Sequence, residues 1–216
     1  MGDGYTHDKS RYKNLDFEAF KGLAKDSELS IYEKVGFPEE YRKGYEDIIF
    51  ADIKSKITNL DIVEIDVLDI GPGCSDLPKM IIENSKTLGQ SLTLIDSKEM
   101  LSLLPDDHFL DKINGEFPDC ATAINGKFDA ILCYSVFQYI YASKNIWHFI
   151  EVLVSLLKEG GQAIIGDIPN YSKRRRFLNS ENGKQFHKAY MKTSNNPKVD
   201  PFPTTVAEID DTVIRS

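Results

Sequence analysis

Two glycines separated by one residue, directly behind an acid that closes an apolar run, are where this chain is best equipped for chemistry. The run Ile65-Asp66-Val67-Leu68 leads into Asp69-Ile70-Gly71-Pro72-Gly73, which predicts a buried strand that ends in a carboxylate and turns through residues lacking a Cβ. A ligand can lie against such bare backbone, and a ribose or a phosphate is the group this turn suits. A dinucleotide turn places a third glycine three residues further on, where helix packs on strand. Asp76 stands there instead, at the start of the next helix, where its charge repels a pyrophosphate. A second acid, Asp167, ends the later apolar run Gln162-Ala163-Ile164-Ile165-Gly166. That position is the carboxyl end of a strand, at the crevice where open α/β sheets bind ligands, so Asp167 is a candidate to orient or deprotonate a substrate.

The stretch from Val67 to Ser75 resembles the first motif of class I S-adenosylmethionine-dependent methyltransferases, whose pattern is acidic-x-Gly-x-Gly-x-Gly. Ser75 replaces the last glycine; it is small enough for the turn and is expected to cap the helix begun by Asp76 and Leu77. Three further segments follow in the family's order. Ser91-Leu92-Thr93-Leu94-Ile95-Asp96 ends in the acid that, by the resemblance, accepts both ribose hydroxyls, with Ser97 beside it; the competing reading makes Asp96 the N-cap of a helix from Lys98 to Leu104. Asn114-Gly115-Glu116-Phe117 is similar to the step that touches adenine, with Glu116 in place of aspartate. Phe128 to Ile140 resembles the fourth motif, with Tyr134 beside the transferable methyl group and Gln138 where many relatives carry histidine. Glutamine can orient a hydroxyl but takes no proton at neutral pH.

Residues 60 to 170 carry the resemblance. It implies a three-layer Rossmann-like α/β fold with a mostly parallel central sheet, and S-adenosyl-L-methionine as cofactor. The cofactor residues it implies are Asp69, Gly71, Gly73, Ser75, Asp96, Ser97, Gly115, Glu116 and Tyr134, with Asp167 and Gln138 as catalytic candidates.

These residues need elements to hold them. Residues 1–60 form an N-terminal helical cap or lid and residues 61–216 the methyltransferase domain. Phe17, Phe20, Leu23 and Ala24 recur at helical spacing, Ser30 to Pro38 reads as a short turn-and-cover element, and Tyr41 to Leu60 predicts one long amphipathic helix packed on the sheet. Tyr5, Tyr12 and Tyr32 are expected to pin the lid to the core. A helix from Ile146 to Leu157 should end at Lys158-Glu159-Gly160-Gly161 before the strand that begins at Gln162. His148 lies in that helix and is expected to pack, leaving His187 as a remote second candidate for a base. After Asp167 the family's last two strands are not legible: Asn195 to Thr205 is rich in proline and polar residues and predicts a loop, and Val206 to Ile214 suits one helix or one strand. A five-stranded sheet with an open edge makes the chain a monomer or an edge-paired homodimer.

Charge narrows the partner. The net charge of −8 argues against a broad nucleic-acid surface. Yet Lys173, Arg174, Arg175, Arg176, Lys184, Lys188 and Lys192 face only one acid, Glu181, over twenty residues. The three arginines are candidates to hold a phosphate or carboxylate of the substrate by bidentate bonds, whereas Lys184, Lys188 and Lys192 at four-residue spacing suit a solvated helix face. Asp167-Ile168-Pro169-Asn170 lies after the fifth strand rather than the fourth, so it is not the Asp-Pro-Pro-Tyr step of enzymes that methylate nucleic-acid bases. Cys74, Cys120 and Cys133 are odd in number and widely spaced, which suits neither a disulfide framework nor a zinc site, and no metal is expected. With no apolar run of about 20 residues and no signal peptide, no membrane is expected and the location is the cytoplasm.

The resulting expectation is methyl transfer from S-adenosylmethionine to a small anionic acceptor, on an oxygen of a phosphorylated or nucleotide-linked metabolite. The stretch from Asp167 to Gly183 resembles methyltransferases of bacterial surface-glycan pathways, which suggests a glycan precursor. The alternatives are an oxidoreductase binding NAD or a nucleotide sugar, which leaves Asp76 and the fourth motif unexplained, and a protein that binds S-adenosylmethionine without turnover.

Overall fold

The structure, a computed structural model, describes residues 15–199 and 209–214. Its centre is a five-stranded sheet of β1 (Asp66–Ile70), β2 (Ser91–Asp96), β3 (Leu110–Asn114), β4 (Phe128–Tyr134) and β5 (Leu157–Gly166), in the order β3-β2-β1-β4-β5. Every pairing is parallel. The chain winds outward from β1 through β2 to β3 and then returns to the other side of β1, so the winding reverses between β1 and β4. That reversal opens a crevice above the carboxyl ends of those two strands.

Alternation along the strands divides the core in two. Val67, Leu92, Leu94, Ala130 and Leu132 face Ile53, Ile57 and Leu60 together with Leu77, Ile81 and Ile82 of α5 (Asp76–Leu88). Leu68, Ile70, Ile95, Ile131 and Cys133 face Phe137 and Ile140 of α7 (Phe137–Ser143) and Phe149 and Leu153 of α8 (Ile146–Ser155). Helices on both faces bury the middle strands on both sides, which is why β1 and β4 read as continuous apolar runs.

The N-terminal segment departs from the expected single helix. α1 (Phe17–Lys25) is capped by Asp16, whose side chain accepts the Ala19 amide at 2.8 Å, and α2 (Ile31–Lys34) opens on a capping box between Ser30 and Glu33. The stretch from Tyr41 to Leu60 is then three pieces: α3 (Glu39–Arg42), α4 (Glu46–Lys56) and a 3-10 turn over Thr58–Asp61. The break falls at Lys43-Gly44-Tyr45, where Gly44 takes a φ of +82° that continues no right-handed helix. The bend lets α4 follow the core while Arg42 points into the crevice.

Three other expectations shift. The helix after Asp96 is one short turn, α6 (Lys98–Leu101). Lys158 to Gly161 do not end a helix; they form a bulge within β5, because Leu157 pairs with Phe128 while Gln162 already pairs with Ala130, and Gly160 supplies a φ of +76°. His148 is exposed rather than packed. Beyond β5, Asn170 caps α9 (Tyr171–Asn179), which is followed by α10 (Glu181–Met191). Ile209 is fully buried, bridges to Asn170 and accepts the Tyr171 amide at 2.8 Å, and α11 (Asp211–Ile214) follows. Tyr5, Tyr12 and most of the expected proline-rich loop lie outside the described residues. Among the described residues no helix is long and apolar enough to cross a membrane.

Candidate active site

A cavity opens over the carboxyl ends of β1, β2 and β4. Its floor is Asp69, Ile70, Gly71, Gly73, Asp96 and Tyr134, and its roof is Phe17 and Phe20 of α1 with Val35, Phe37 and Arg42. Phe20 meets Tyr139 of α7 edge to face, with centroids 5.0 Å apart, so the roof touches the far wall.

The turn after β1 favours glycine at both flanking positions. Gly71 and Gly73 have φ of +68° and +67°. A Cβ on Gly71 would lie 2.6 Å from Val136, and one on Gly73 would lie 2.5 Å from Cγ1 of Val35. The bare backbone therefore lets the roof and the β4–α7 loop press onto the turn as well as leaving room for a ligand. Gly115 follows the same logic, with Cys120 2.4 Å from its absent Cβ.

Two carboxylates stand beside the turn. Asp69 is 3% exposed; burial, with the nearby Asp96 charge adding to it, lifts its carboxyl to about 7. Asp96 accepts the Gly73 amide at 3.0 Å and the Ser97 amide at 2.6 Å. Burial lifts its carboxyl to about 6, against the pull of those two amides. A carboxylate has roughly four acceptor sites, so two remain for ligand hydroxyls. The helix-cap reading of Asp96 fails: Ser97 is the N-cap of α6, fully buried, and its hydroxyl accepts the Met100 amide at 3.2 Å.

The remaining expected residues separate. Ser75 occupies the N-cap position of α5 and lines the cavity, but its hydroxyl makes no capping bond. Asp76 faces away from the ligand space and ties down the lid, accepting the Tyr32 hydroxyl at 2.6 Å and Lys79 at 3.0 Å. Those partners hold its carboxyl below the usual range, and Tyr32 thus ties α2 to the start of α5. Glu116 lines the cavity and pairs with Lys144 at 3.0 Å. Gln138 is 5% exposed, and its Nε2 donates to the Ser135 carbonyl at 2.9 Å, a bond that braces the loop after β4. Arg174, Arg175 and Arg176 lie exposed on α9 and do not line the cavity; Arg176 pairs with Asp211 at 2.5 Å and Arg175 stands 5.9 Å over the Tyr171 ring.

Among the described residues the cation that does reach the cavity is Arg42, which sequence reasoning missed. It is 8% exposed, donates to Asp167 at 3.1 Å and to the Ser135 hydroxyl at 3.3 Å, and lies over the rings of Phe37 at 4.7 Å and Tyr134 at 5.6 Å. Ser135 also hydrogen-bonds Asp167 directly. These two residues end neighbouring strands with φ of +62° and +54°, a conformation that costs a non-glycine residue about 1 kcal/mol or more. The only sequence signal for Arg42 was a cation inside a predicted amphipathic helix, which ordinarily means solvent.

The residues present fit S-adenosylmethionine. Carboxylates without competing cations stand beside bare backbone, and Met100, Phe117 and Ile95 supply an apolar wall on the β2 side of the cavity.

The fold is that of class I S-adenosylmethionine-dependent methyltransferases. No family model matches the sequence, and no curated protein matches it. Among solved structures the chain is similar to the plantazolicin methyltransferase BamL, seen with a triazolic desmethylPZN analog and SAH: TM-score 0.56, 17% identity, over 96% of this chain and 70% of that one. Coclaurine N-methyltransferase bound to N-methylheliamine and SAH matches with a TM-score of 0.47 and 13% identity, over 72% of this chain. The N-methyltransferase NodS from Bradyrhizobium japonicum WM9 matches with a TM-score of 0.41 and 16% identity, over 56% of this chain and 67% of that one. The chain spans about half the length of the coclaurine enzyme, 47%. None of these comparisons supports the glycan-pathway resemblance.

Proposed function

We propose that this protein transfers a methyl group from S-adenosylmethionine to a small-molecule acceptor. The observation that carries the reading is the pairing of the Gly71-Pro72-Gly73 turn with the buried acids Asp69 and Asp96 at the point where the sheet reverses. Asp96 would hold the ribose hydroxyls, Gly71 and Gly73 would admit the cofactor against the backbone, and Tyr134 would border the methyl group. The cofactor supplies an activated methyl on a sulfonium. The chain's own share is to position donor and acceptor in line and to exclude water, which the roof of Phe17, Phe20, Val35 and Phe37 favours.

The acceptor expected from the sequence, an oxygen of an anionic metabolite, rested on Arg174, Arg175 and Arg176. Their exposed place on α9 gives that finer reading no support at the cavity.

Calorimetric titration tests the proposal, with S-adenosylhomocysteine and NAD added in separate experiments. Saturable binding of S-adenosylhomocysteine alone is expected, with Asp96→Ala weakening it about tenfold or more through loss of the ribose hydrogen bonds. Binding of NAD alone would overturn the proposal, and an Asp96→Ala protein of unchanged affinity would remove Asp96 from the site.

A further inference from the structure

The charge around the cavity is one-sided. Among the described residues, Asp16, Asp69, Asp96 and Glu116 line it against a single lining cation, Arg42. Glu116 is answered by Lys144, but the Asp69 carboxylate, in a residue 3% exposed, has no hydrogen-bond donor among the described residues. A buried carboxylate with no donor, facing a cavity, points to a ligand that brings positive charge or hydrogen-bond donors.

The pattern recurs at the edge of the cavity, where Asp167, itself outside the lining, meets the lining residues Arg42 and Ser135. Arg42 already faces two carboxylates: it donates to Asp167 at 3.1 Å, and Glu46, 4% exposed, sits as an ion pair 3.7 Å from its Nε, with no hydrogen bond between them. Two carboxylates thus share one guanidinium, and among the described residues no second cation lines the cavity to meet a phosphate or carboxylate. Asp167 uses only Oδ2 for Arg42 and Ser135. Its Oδ1 has no partner among the described residues, and the side chain is 40% exposed. The carboxylate is held from two sides on a strained backbone with one oxygen open, and its charge adds to burial in pushing up the Tyr139 phenol.

We propose that the acceptor is an amine, its nitrogen hydrogen-bonded to Oδ1 of Asp167 and its apolar body lying against Phe20 and Tyr139. This rests on the methyl-donor assignment above. In the transfer, the lone pair of the neutral amine forms the new nitrogen–carbon bond as the carbon–sulfur bond breaks, and the bonding pair stays on sulfur, which becomes a neutral thioether. The positive charge moves to nitrogen, where Asp167 faces it, and the excess proton leaves from nitrogen to water. Arg42 and Ser135 are positioning residues, acting through Asp167. An anionic acceptor gains nothing from this arrangement and meets repulsion from the unpaired acids.

The test is saturation-transfer NMR on protein saturated with S-adenosylhomocysteine, using matched pairs of 2-phenylethylamine with 3-phenylpropionate and tryptamine with indole-3-propionate. The amines are expected to bind at least tenfold more tightly than their carboxylate partners. Asp167→Asn should erase that preference about tenfold while S-adenosylhomocysteine affinity holds; asparagine tolerates the left-handed backbone, so the variant keeps the local geometry. Carboxylates that bind as well as the amines, a silent amine in both pairs, or a preference that survives Asp167→Asn would each overturn the proposal. A protein that does not bind S-adenosylhomocysteine fails the earlier assignment instead, and the two failures are read from separate titrations. If Asp167→Asn does not fold, the wild-type preference decides.

Discussion

Replacing Gly73 with alanine probes the contact on which the site depends, the seating of the roof on the glycine turn. The φ of +67° costs an alanine about 1–2 kcal/mol, and the new Cβ would stand 2.5 Å from Cγ1 of Val35, an overlap that adds about 1–3 kcal/mol if Val35 must move. Val35 belongs to the lid and not to the sheet, and the sheet is the stiffer partner, so the collision should be relieved by the lid lifting. Gly73→Ala is therefore expected to keep the global unfolding transition within a few degrees of wild type. The amides of Ile31 to Phe37 should exchange at least tenfold faster, and S-adenosylhomocysteine affinity should fall by on the order of thirtyfold. Hydrogen exchange read by mass spectrometry and calorimetry measure both. Adding Val35→Ala removes the colliding atom and should return the steric part, leaving only the backbone cost. A double variant whose lid exchanges as fast as that of Gly73→Ala refutes the reasoning, because the loss would then come from the turn alone.

Cofactor binding should depend on pH. Ribose hydroxyls donate to ionised Asp96, whose carboxyl sits near 6 in the free protein, so S-adenosylhomocysteine affinity should rise as pH increases through about 6 and level off above it; a flat titration from pH 5 to 8 would contradict the role. Stability moves the other way for Asp69. Its carboxyl is raised to about 7 from an ordinary 3.8, so the folded state holds this proton more tightly than the unfolded chain, and the resulting support is full below about pH 4 and lost as pH climbs toward 7. Asp69→Asn should accordingly raise the thermal midpoint of the ligand-free protein more at pH 8 than at pH 5, and an equal shift at both would count against it. Arg42→Ala leaves Glu46 buried and Asp167 without its cation, and should cost about 3 kcal/mol or more in urea unfolding; a loss under about 1 kcal/mol would mean that the latch carries little.

Much of the scaffold was legible in the chain itself. A parallel strand buried on both faces must be apolar along its length, so β1, β2 and β4 stood out, and the acids at the ends of β1 and β2 marked where apolar packing stops. The two-glycine turn was readable because a positive φ narrows the choice of residue at each position. The errors were of another kind. The uninterrupted helix from Tyr41 to Leu60 failed at Gly44, where amphipathic spacing persists across a bend that the backbone of one glycine permits. The cap assigned to Asp96 belonged to its neighbour Ser97, since a one-residue choice between adjacent capping residues depends on which side chain the buried amides can reach. Arg174, Arg175 and Arg176 looked like substrate ligands because charge density in sequence does not say which way α9 faces.

By itself, then, the sequence determined the sheet, the order of the motifs and the two-glycine turn after β1, because each is specified by neighbours a few residues apart. Which cation and which carboxylate meet at the edge of the cavity was decided only by the tertiary structure. Arg42 reaches Ser135 across 93 residues and Asp167 across 125, and Val35 covers Gly73 from a separate element. No local period encodes such pairings; they follow from the handedness of the crossovers and from the bend at Gly44 that turns the lid toward the crevice.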